Sequence, residues 1–395
     1  YLWTMDSANQ DLNLSTSILP GMVDASPEMH HAKLNLTAKI NTILTKYGYD
    51  IFDCPIMEST ELYAMKSGGE LTSRLYSFVE PGGISVSLRP EFTSSVIRFY
   101  VSNEAVHKKT VKKQYLGPVF RYFDSNQGLN QRQFTQQGCE IIGDSSIGSD
   151  VEILKLSLLA LAESGLEKVT IKLGHMGYIR SILEDFELSE ALIGFTLSNL
   201  QVLNESESGI AGLVDMASGI GLINPGENHD ETTNIKTAET PMSSLGRRTF
   251  EQITNRSLKK KSHLFSVEKY SKALTRLSLF LSTFSGDINN VSNNMTTDPI
   301  HKDAAKYFKR VIKESANVSD MAVDFIVDCA AQRGFTYYTG IIFDIEHVSD
   351  NKSIPLGGGG RYDGLVKLLG GPEEIPATGF AVNVDSILSI ITVAE

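Results

Sequence analysis

The segment Leu88-Arg89-Pro90-Glu91-Phe92-Thr93 sets a carboxylate and a hydroxyl at the end of a strand. At the mouth of a pocket these groups accept hydrogen bonds from an ammonium or imidazole. A second stretch reads Gly117-Pro118-Val119-Phe120-Arg121-Tyr122, then a polar loop to Arg132-Gln133-Phe134, then Gln136, Gly138 and Glu140. Two strands joined by such a loop project Arg121, Gln136 and Glu140 to one side by alternation. An arginine, an amide and a carboxylate match the carboxylate and amine of a free amino acid. The third segment, Arg333-Gly334-Phe335-Thr336-Tyr337-Tyr338-Thr339-Gly340, puts an anion-binding arginine beside paired tyrosines that form an aromatic wall. The fourth, Gly357-Gly358-Gly359-Gly360-Arg361-Tyr362-Asp363-Gly364, reads as a glycine-rich loop that lets backbone approach a ligand closely. It has neither the lysine of a phosphate-binding P-loop nor the strand–turn–helix context of a dinucleotide fingerprint. Taken singly, each segment also fits a plainer role: a solvated strand end, a polar hairpin, a surface turn, a flexible turn.

The elements that must hold these residues show in the periodicity. Ser26-Pro27 starts a helix that runs over 29–47 and stops at Gly48. Short β-like runs follow at 49–55, 73–79, 84–88 and 114–121, with Pro81-Gly82-Gly83 turning a hairpin. Another strand ends over 140–143, and 150–164 is amphipathic and helical. After a strand over 169–173, helical stretches and polar linkers dominate to about residue 313. Strand character returns at 323–329, 341–347, 354–355 and 379–384, and a last helix starts at Asp385. The pattern predicts an antiparallel α+β core built from both ends of the chain, with a mainly helical insert at about 225–315. Residues 1–20 are expected as an arm preceding one domain over 21–395.

Composition narrows the chemistry. The chain has 395 residues, 41% of them hydrophobic, enough to bury a large core. A net charge of −11 argues against a surface built for many phosphates. Cys54, Cys139 and Cys329 are far apart in sequence with no CxxC pair, so neither a disulfide framework nor a structural zinc site is expected. No apolar run is long enough for a membrane span, so membrane attachment is not expected and a cytoplasmic setting is.

In this order and spacing the four segments resemble the histidyl-tRNA synthetase family, from about Pro20 to Leu388. Phe120-Arg121 through Glu140 resembles class II motif 2. The Arg333–Gly340 and Gly358–Leu365 stretches resemble the two signatures of its histidine-recognising members. The resemblance implies a class II aminoacyl-tRNA synthetase-like antiparallel sheet flanked by helices, a homodimer formed through the helix near 29–55, and a pocket for free L-histidine. It implies that Glu91, Tyr338 and Tyr362 hold the imidazole. By the same resemblance Thr93, Gln136 and Glu140 bind the amine, and Arg121 and Arg333 face the carboxylate or an α-phosphate.

The likeness breaks on the ATP side. Ser386 stands where the motif 3 arginine belongs, Phe123 replaces the glutamate after the motif 2 arginine, and Leu129-Asn130 occupy the place of a loop arginine. Thr336 replaces the aspartate of the histidine signature. A serine cannot supply the cation that adenylation places over ATP phosphates. The chain ends nine residues after Ser386, so no C-terminal anticodon-binding domain is expected. Retained histidine contacts with eroded ATP contacts predict a non-catalytic, histidine-binding regulatory subunit of ATP phosphoribosyltransferase, acting in the first step of histidine biosynthesis. The expected partners are free L-histidine and the short-form catalytic subunit of that transferase, in a hetero-oligomer containing a homodimer. No cofactor or metal is expected, and tRNA is not expected as a partner. The alternative is a histidyl-tRNA synthetase core.

Overall fold

The computed structural model describes residues 17–65, 72–103, 110–123, 131–205, 208–224, 265–287, 297–316, 320–330, 337–349 and 352–391. The chain opens with α1 (Pro27–Lys46), β1 (Asp50–Ile51), β2 (Met57–Ser59), α2 (Thr60–Ala64), β3 (Ser77–Val79), β4 (Ser85–Leu88) and α3 (Thr93–Ser102). Two long strands, β5 (Val111–Phe120) and β6 (Gln133–Ile142), lead to α4 (Ile147–Ala162) and β7 (Lys168–His175). Then come α5 (Met176–Glu184), α6 (Glu190–Ser198), α7 (Leu200–Glu205), α8 (Gly209–Gly219), β8 (Ile223–Asn224), β9 (Phe265–Ser266) and α9 (Val267–Thr283). The chain continues with β10 (Ser285–Asp287), α10 (Pro299–Ser315), β11 (Ala322–Asp328) and β12 (Ile341–Ser349). It closes with β13 (Lys352–Arg361), α11 (Leu365–Leu368), β14 (Ala377–Asn383) and α12 (Val384–Ile391).

Two compact units emerge. The first comprises Tyr1–Val169, Ser315–Val323 and Asp344–Glu395, and the second Thr170–Glu314 and Asp324–Phe343. In the first, the strand order β1-β5-β6-β14-β13-β12 forms a large sheet flanked by helices, a mixed α+β fold of class II synthetase type. The pairs β5–β6, β6–β14 and β13–β14 are antiparallel, while the two-residue β1 joins β5 in parallel. A smaller antiparallel sheet, β2-β4-β3, carries the hairpin around Gly83.

Local chemistry explains α1. The Ser26 hydroxyl accepts from the Met29 N–H at 3.3 Å, and Pro27 takes the first turn, where its missing N–H costs nothing. Leu36, Ile40 and Leu44, four residues apart, make the buried stripe. Gly48 turns the chain at φ +85°, which disfavours a side chain.

Gly357–Gly360 correct the sequence reading. They form no loop but lie inside β13, paired with Gly379–Val382 of β14. A Cβ at Gly357 would overlap the Ala381 carbonyl oxygen, so the glycines allow strands to meet where side chains would hold them apart.

The second unit is mainly helical. Its core buries Tyr270, Phe280, Phe284 and Phe308, and β10 pairs antiparallel with β11. Helical structure already begins at Met176; of the insert expected at about 225–315, residues 225–264 and 288–296 lie outside the described residues. The Met176 N–H donates to the Gly340 carbonyl at 2.8 Å, which anchors the end of the paired-tyrosine segment. Among the described residues, no helix is long and apolar enough to cross a membrane.

Candidate functional site

The site in the first unit is built around one carboxylate. Glu140 lies in the middle of the sheet on β6, with Lys113 of β5 and Gly379 of β14 as its cross-strand partners. It is 1% exposed. A buried carboxylate is tolerated only when hydrogen bonds replace its water. Here Oε1 accepts from the Thr93 hydroxyl at 2.7 Å and the Tyr115 hydroxyl at 3.0 Å, and Oε2 accepts from the Tyr362 hydroxyl. Burial, reinforced by the Glu140 charge, pushes the Tyr115 phenol well above its usual pKa, so it stays a proton donor.

The neighbouring glycines make this carboxylate fit. A Cβ on Gly379 would overlap Glu140 Oε2, so the strand facing Glu140 must be bare at that point. Gly379→Ala is therefore expected to displace the carboxylate and weaken amino-acid binding roughly tenfold or more, as for loss of a charge-assisted hydrogen bond. Calorimetric titration of the folded variant with L-histidine checks this; unchanged affinity would contradict it.

Two further acceptors sit nearby in sequence. Both Glu91 oxygens accept from the Ser94 N–H at 3.2 Å, at the start of α3, where the helix favours negative charge. The Gln136 Oε1 is buried and has no hydrogen-bond partner among the described residues. A buried acceptor without a protein donor has capacity for a further hydrogen bond. Gln136 and Glu140 share one face of β6 by alternation. Arg121 follows β5; its Nε donates to the Pro90 carbonyl at 2.9 Å and its guanidinium lies 5.2 Å from the Phe134 ring centre. That bond ties the arginine to the residue preceding Glu91.

The structure thus brings Thr93, Glu140 and Tyr362 into direct contact, with Glu91, Gln136 and Arg121 on the same unit. Tyr338 belongs to the second unit, half-buried with its ring 4.5 Å from that of Tyr337. Arg333 lies outside the described residues. Sequence reasoning missed Tyr115. Its signal was the alternation Tyr115, Gly117, Val119 along β5, which continues to Arg121.

The substituted positions have ordinary local settings among the described residues. Ser386 sits half-buried in the first turn of α12, its N–H donating to Asn383 Oδ1 at 3.0 Å. Asp385 beside it pairs with Lys33 of α1 at 2.5 Å and accepts from the Thr135 N–H of β6 at 2.5 Å, which fixes this helix end. Phe123 is half-buried, with the Arg74 guanidinium 5.1 Å from its ring centre. Leu129 and Asn130 lie outside the described residues.

A family model described as histidyl-tRNA synthetase matches residues 21–215 and 238–387. A histidine–tRNA ligase of Sulfurisphaera tokodaii is 32% identical over 359 residues, spanning 91% of this chain and 71% of the relative. One from Methanococcus vannielii is 30% identical over 361 residues, 91% of this chain and 72% of its own. Among solved structures, a Bacillus halodurans protein described as an ATP phosphoribosyltransferase regulatory subunit/histidyl-tRNA synthetase superposes with a TM-score of 0.65. It is 21% identical over 95% of this chain and 83% of its own, a likeness of fold alone. A histidine–tRNA ligase subunit of Alicyclobacillus acidocaldarius gives a TM-score of 0.59 at 21% identity, over 96% of this chain and 98% of its own.

These relatives overturn the expectation of a phosphoribosyltransferase regulatory subunit. Relatives at 30–32% identity over about nine-tenths of the chain carry the ligase name. The regulatory description comes from a structural neighbour at 21% identity, which carries the synthetase name as well. The expectation rested on Ser386, Phe123, Leu129-Asn130 and Thr336 and on the absence of a C-terminal domain, departures at a few positions within a likeness that spans the chain.

Proposed function

This chain belongs to the histidyl-tRNA synthetase family, and from that premise we propose that it works as a histidine–tRNA ligase core. Its partners are free L-histidine, ATP and tRNA, and it acts as a homodimer in the cytoplasm. The short phosphoribosyltransferase subunit drops out of the reading.

The observation that carries it is the acceptor array at Glu140. A carboxylate gripped by the Thr93, Tyr115 and Tyr362 hydroxyls, with the unbonded Gln136 amide oxygen on the same strand face, suits an α-ammonium. Glu91 and Tyr362 supply acceptor and donor for the two nitrogens of an imidazole. Arg121 then faces the amino acid's carboxylate as it attacks the α-phosphate of ATP and pyrophosphate departs. Cations aimed at the charge that develops there lower the barrier. Ser386 removes one such cation, so this chain activates histidine more slowly than a member with the full set.

Histidine-dependent ATP–pyrophosphate exchange tests the reading, since that half-reaction needs no anticodon-binding domain. Exchange above background with L-histidine, and none with other amino acids, is the expected result. Exchange at background would overturn the ligase assignment. Equal exchange with several amino acids would remove the imidazole assignment of Glu91 and Tyr362.

A further inference from the structure

Phe92 connects both donors that hold Glu140 Oε1. Through the backbone it precedes Thr93, and it is the residue that opens α3. Through space its ring stacks on Tyr115, with centroids 4.5 Å apart and planes 7° from parallel. The guanidinium carbon of Arg89 lies 4.1 Å from the same ring centre. Arg89 is itself clamped: it is 2% exposed, its Nε donates to the Pro118 carbonyl at 2.8 Å, and its Nη1 donates to the Cys54 carbonyl at 2.7 Å. A Cβ on Gly117 would overlap Arg89 Nη2, so β5 is bare where the guanidinium passes.

We propose that Arg89, Phe92 and Tyr115 form a positioning column that fixes the direction of the Glu140 carboxylate in the amine subsite. The proposal deepens the histidine reading and rests on it. A parallel-stacked ring resists sliding and tilting, and a cation against an aromatic face in a buried site adds to that hold. The Tyr115 hydroxyl is then delivered to Oε1 in one geometry. Gly138, cross-strand from Tyr115, leaves room for this: a Cβ there would stand 2.9 Å from the hydroxyl. A hydrogen bond to the charged form of a carboxyl favours that form, so Tyr115 also keeps Glu140 ready to receive an ammonium. Among the described residues, the polar groups around the pair include Thr93 and Glu91 at the start of α3, Cys139 on β6, and Tyr362 after β13.

Tyr115→Phe keeps the stack and removes the hydroxyl, while Phe92→Leu keeps every hydroxyl and removes the stack. Both are compared with the unmodified chain by histidine calorimetry, thermal melting and pyrophosphate-exchange kinetics. Carbon-13 titration of Glu140 is followed in the unmodified chain and in Tyr115→Phe. For Tyr115→Phe, histidine affinity is expected to fall about tenfold, as for one lost charge-assisted hydrogen bond. KM should rise with kcat little changed, because the bond acts before chemistry. The Glu140 carboxyl should titrate at higher pH than in the unmodified chain, a change that a merely structural tyrosine would not cause. Phe92→Leu should also weaken histidine binding although no hydroxyl is lost. Unchanged histidine affinity in folded Phe92→Leu would overturn the column, and so would unchanged affinity with an unchanged Glu140 titration in Tyr115→Phe. If the unmodified chain does not bind histidine, the ligase reading falls separately, and the Glu140 titration, followed also in Phe92→Leu, still decides the column.

Discussion

Arg121→Ala is expected to cut histidine-dependent ATP–pyrophosphate exchange about 10²–10³-fold, the loss typical of removing one preorganised group that stabilises transition-state charge. The expectation follows from what surrounds it. Arg121 leaves the end of β5, and its Nε bond to the Pro90 carbonyl holds the guanidinium at the segment that carries Glu91 and Thr93. Its planar head rests near the Phe134 ring, which limits its swing. On the proposed ligase reading, with Ser386 where a motif 3 arginine would stand, Arg121 carries a larger share of the charge on the α-phosphate, so losing it costs more here than in a site with that further cation. Arg121→Lys should recover only part of the rate, since an ammonium cannot reproduce a forked, stacked guanidinium. The decisive measurement is exchange at saturating histidine and ATP. A drop of less than about tenfold in Arg121→Ala would show that the transition-state charge is handled elsewhere, since such a loss is smaller than one oxyanion donor usually brings.

How far the sequence foretold this site depends on the distance over which each residue acts. Local signals were legible: Ser26-Pro27 and Gly48 bound α1 because a cap and a turn are decided within a few residues. Thr93, Glu140 and Tyr362 were legible because their segments carry family patterns, and the structure joins them. Tyr115 was not. It pairs with Gly138 and reaches Glu140 diagonally, so its role depends on the register between β5 and β6. The glycine run misled because a string of glycines reads locally as a turn. Its real setting is between strands, where Gly357 makes room for Ala381. The functional expectation failed for another reason: substitutions at Ser386, Phe123, Leu129-Asn130 and Thr336 touch few positions, whereas the family likeness is spread over the chain.

Arg361→Ala is expected to destabilise the protein by about 3–5 kcal/mol, the cost of breaking a buried ion pair by removing one partner. Arg361 ends β13 and is 7% exposed. Its Nε and Nη2 lie 2.9 and 2.8 Å from Asp150 Oδ1, and Nη2 also donates to the Ser149 hydroxyl at 2.8 Å. Nη1 donates to the Asp144 carbonyl at 3.0 Å and to Asp363 Oδ1 at 3.3 Å. The alanine variant would leave Asp150, buried in the first turn of α4, without its cation. Asp150→Asn on the same background separates the terms: it removes the stranded charge, so the double variant should be more stable than Arg361→Ala alone. The midpoint of urea unfolding reads the loss, with an unchanged slope reporting that the unfolding transition itself is the same. A loss of about 1 kcal/mol or less would mean that Arg361 behaves as a surface pair. The same arginine bears on binding. Tyr362 follows it directly, and Asp363 Oδ1 accepts both from Arg361 and from the Ala377 N–H at 3.1 Å, so the lock sets where β13 ends and where the Tyr362 hydroxyl points. Histidine affinity in Arg361→Ala should therefore fall even at temperatures where the variant is fully folded, because the Tyr362 bond to Glu140 loses its anchor.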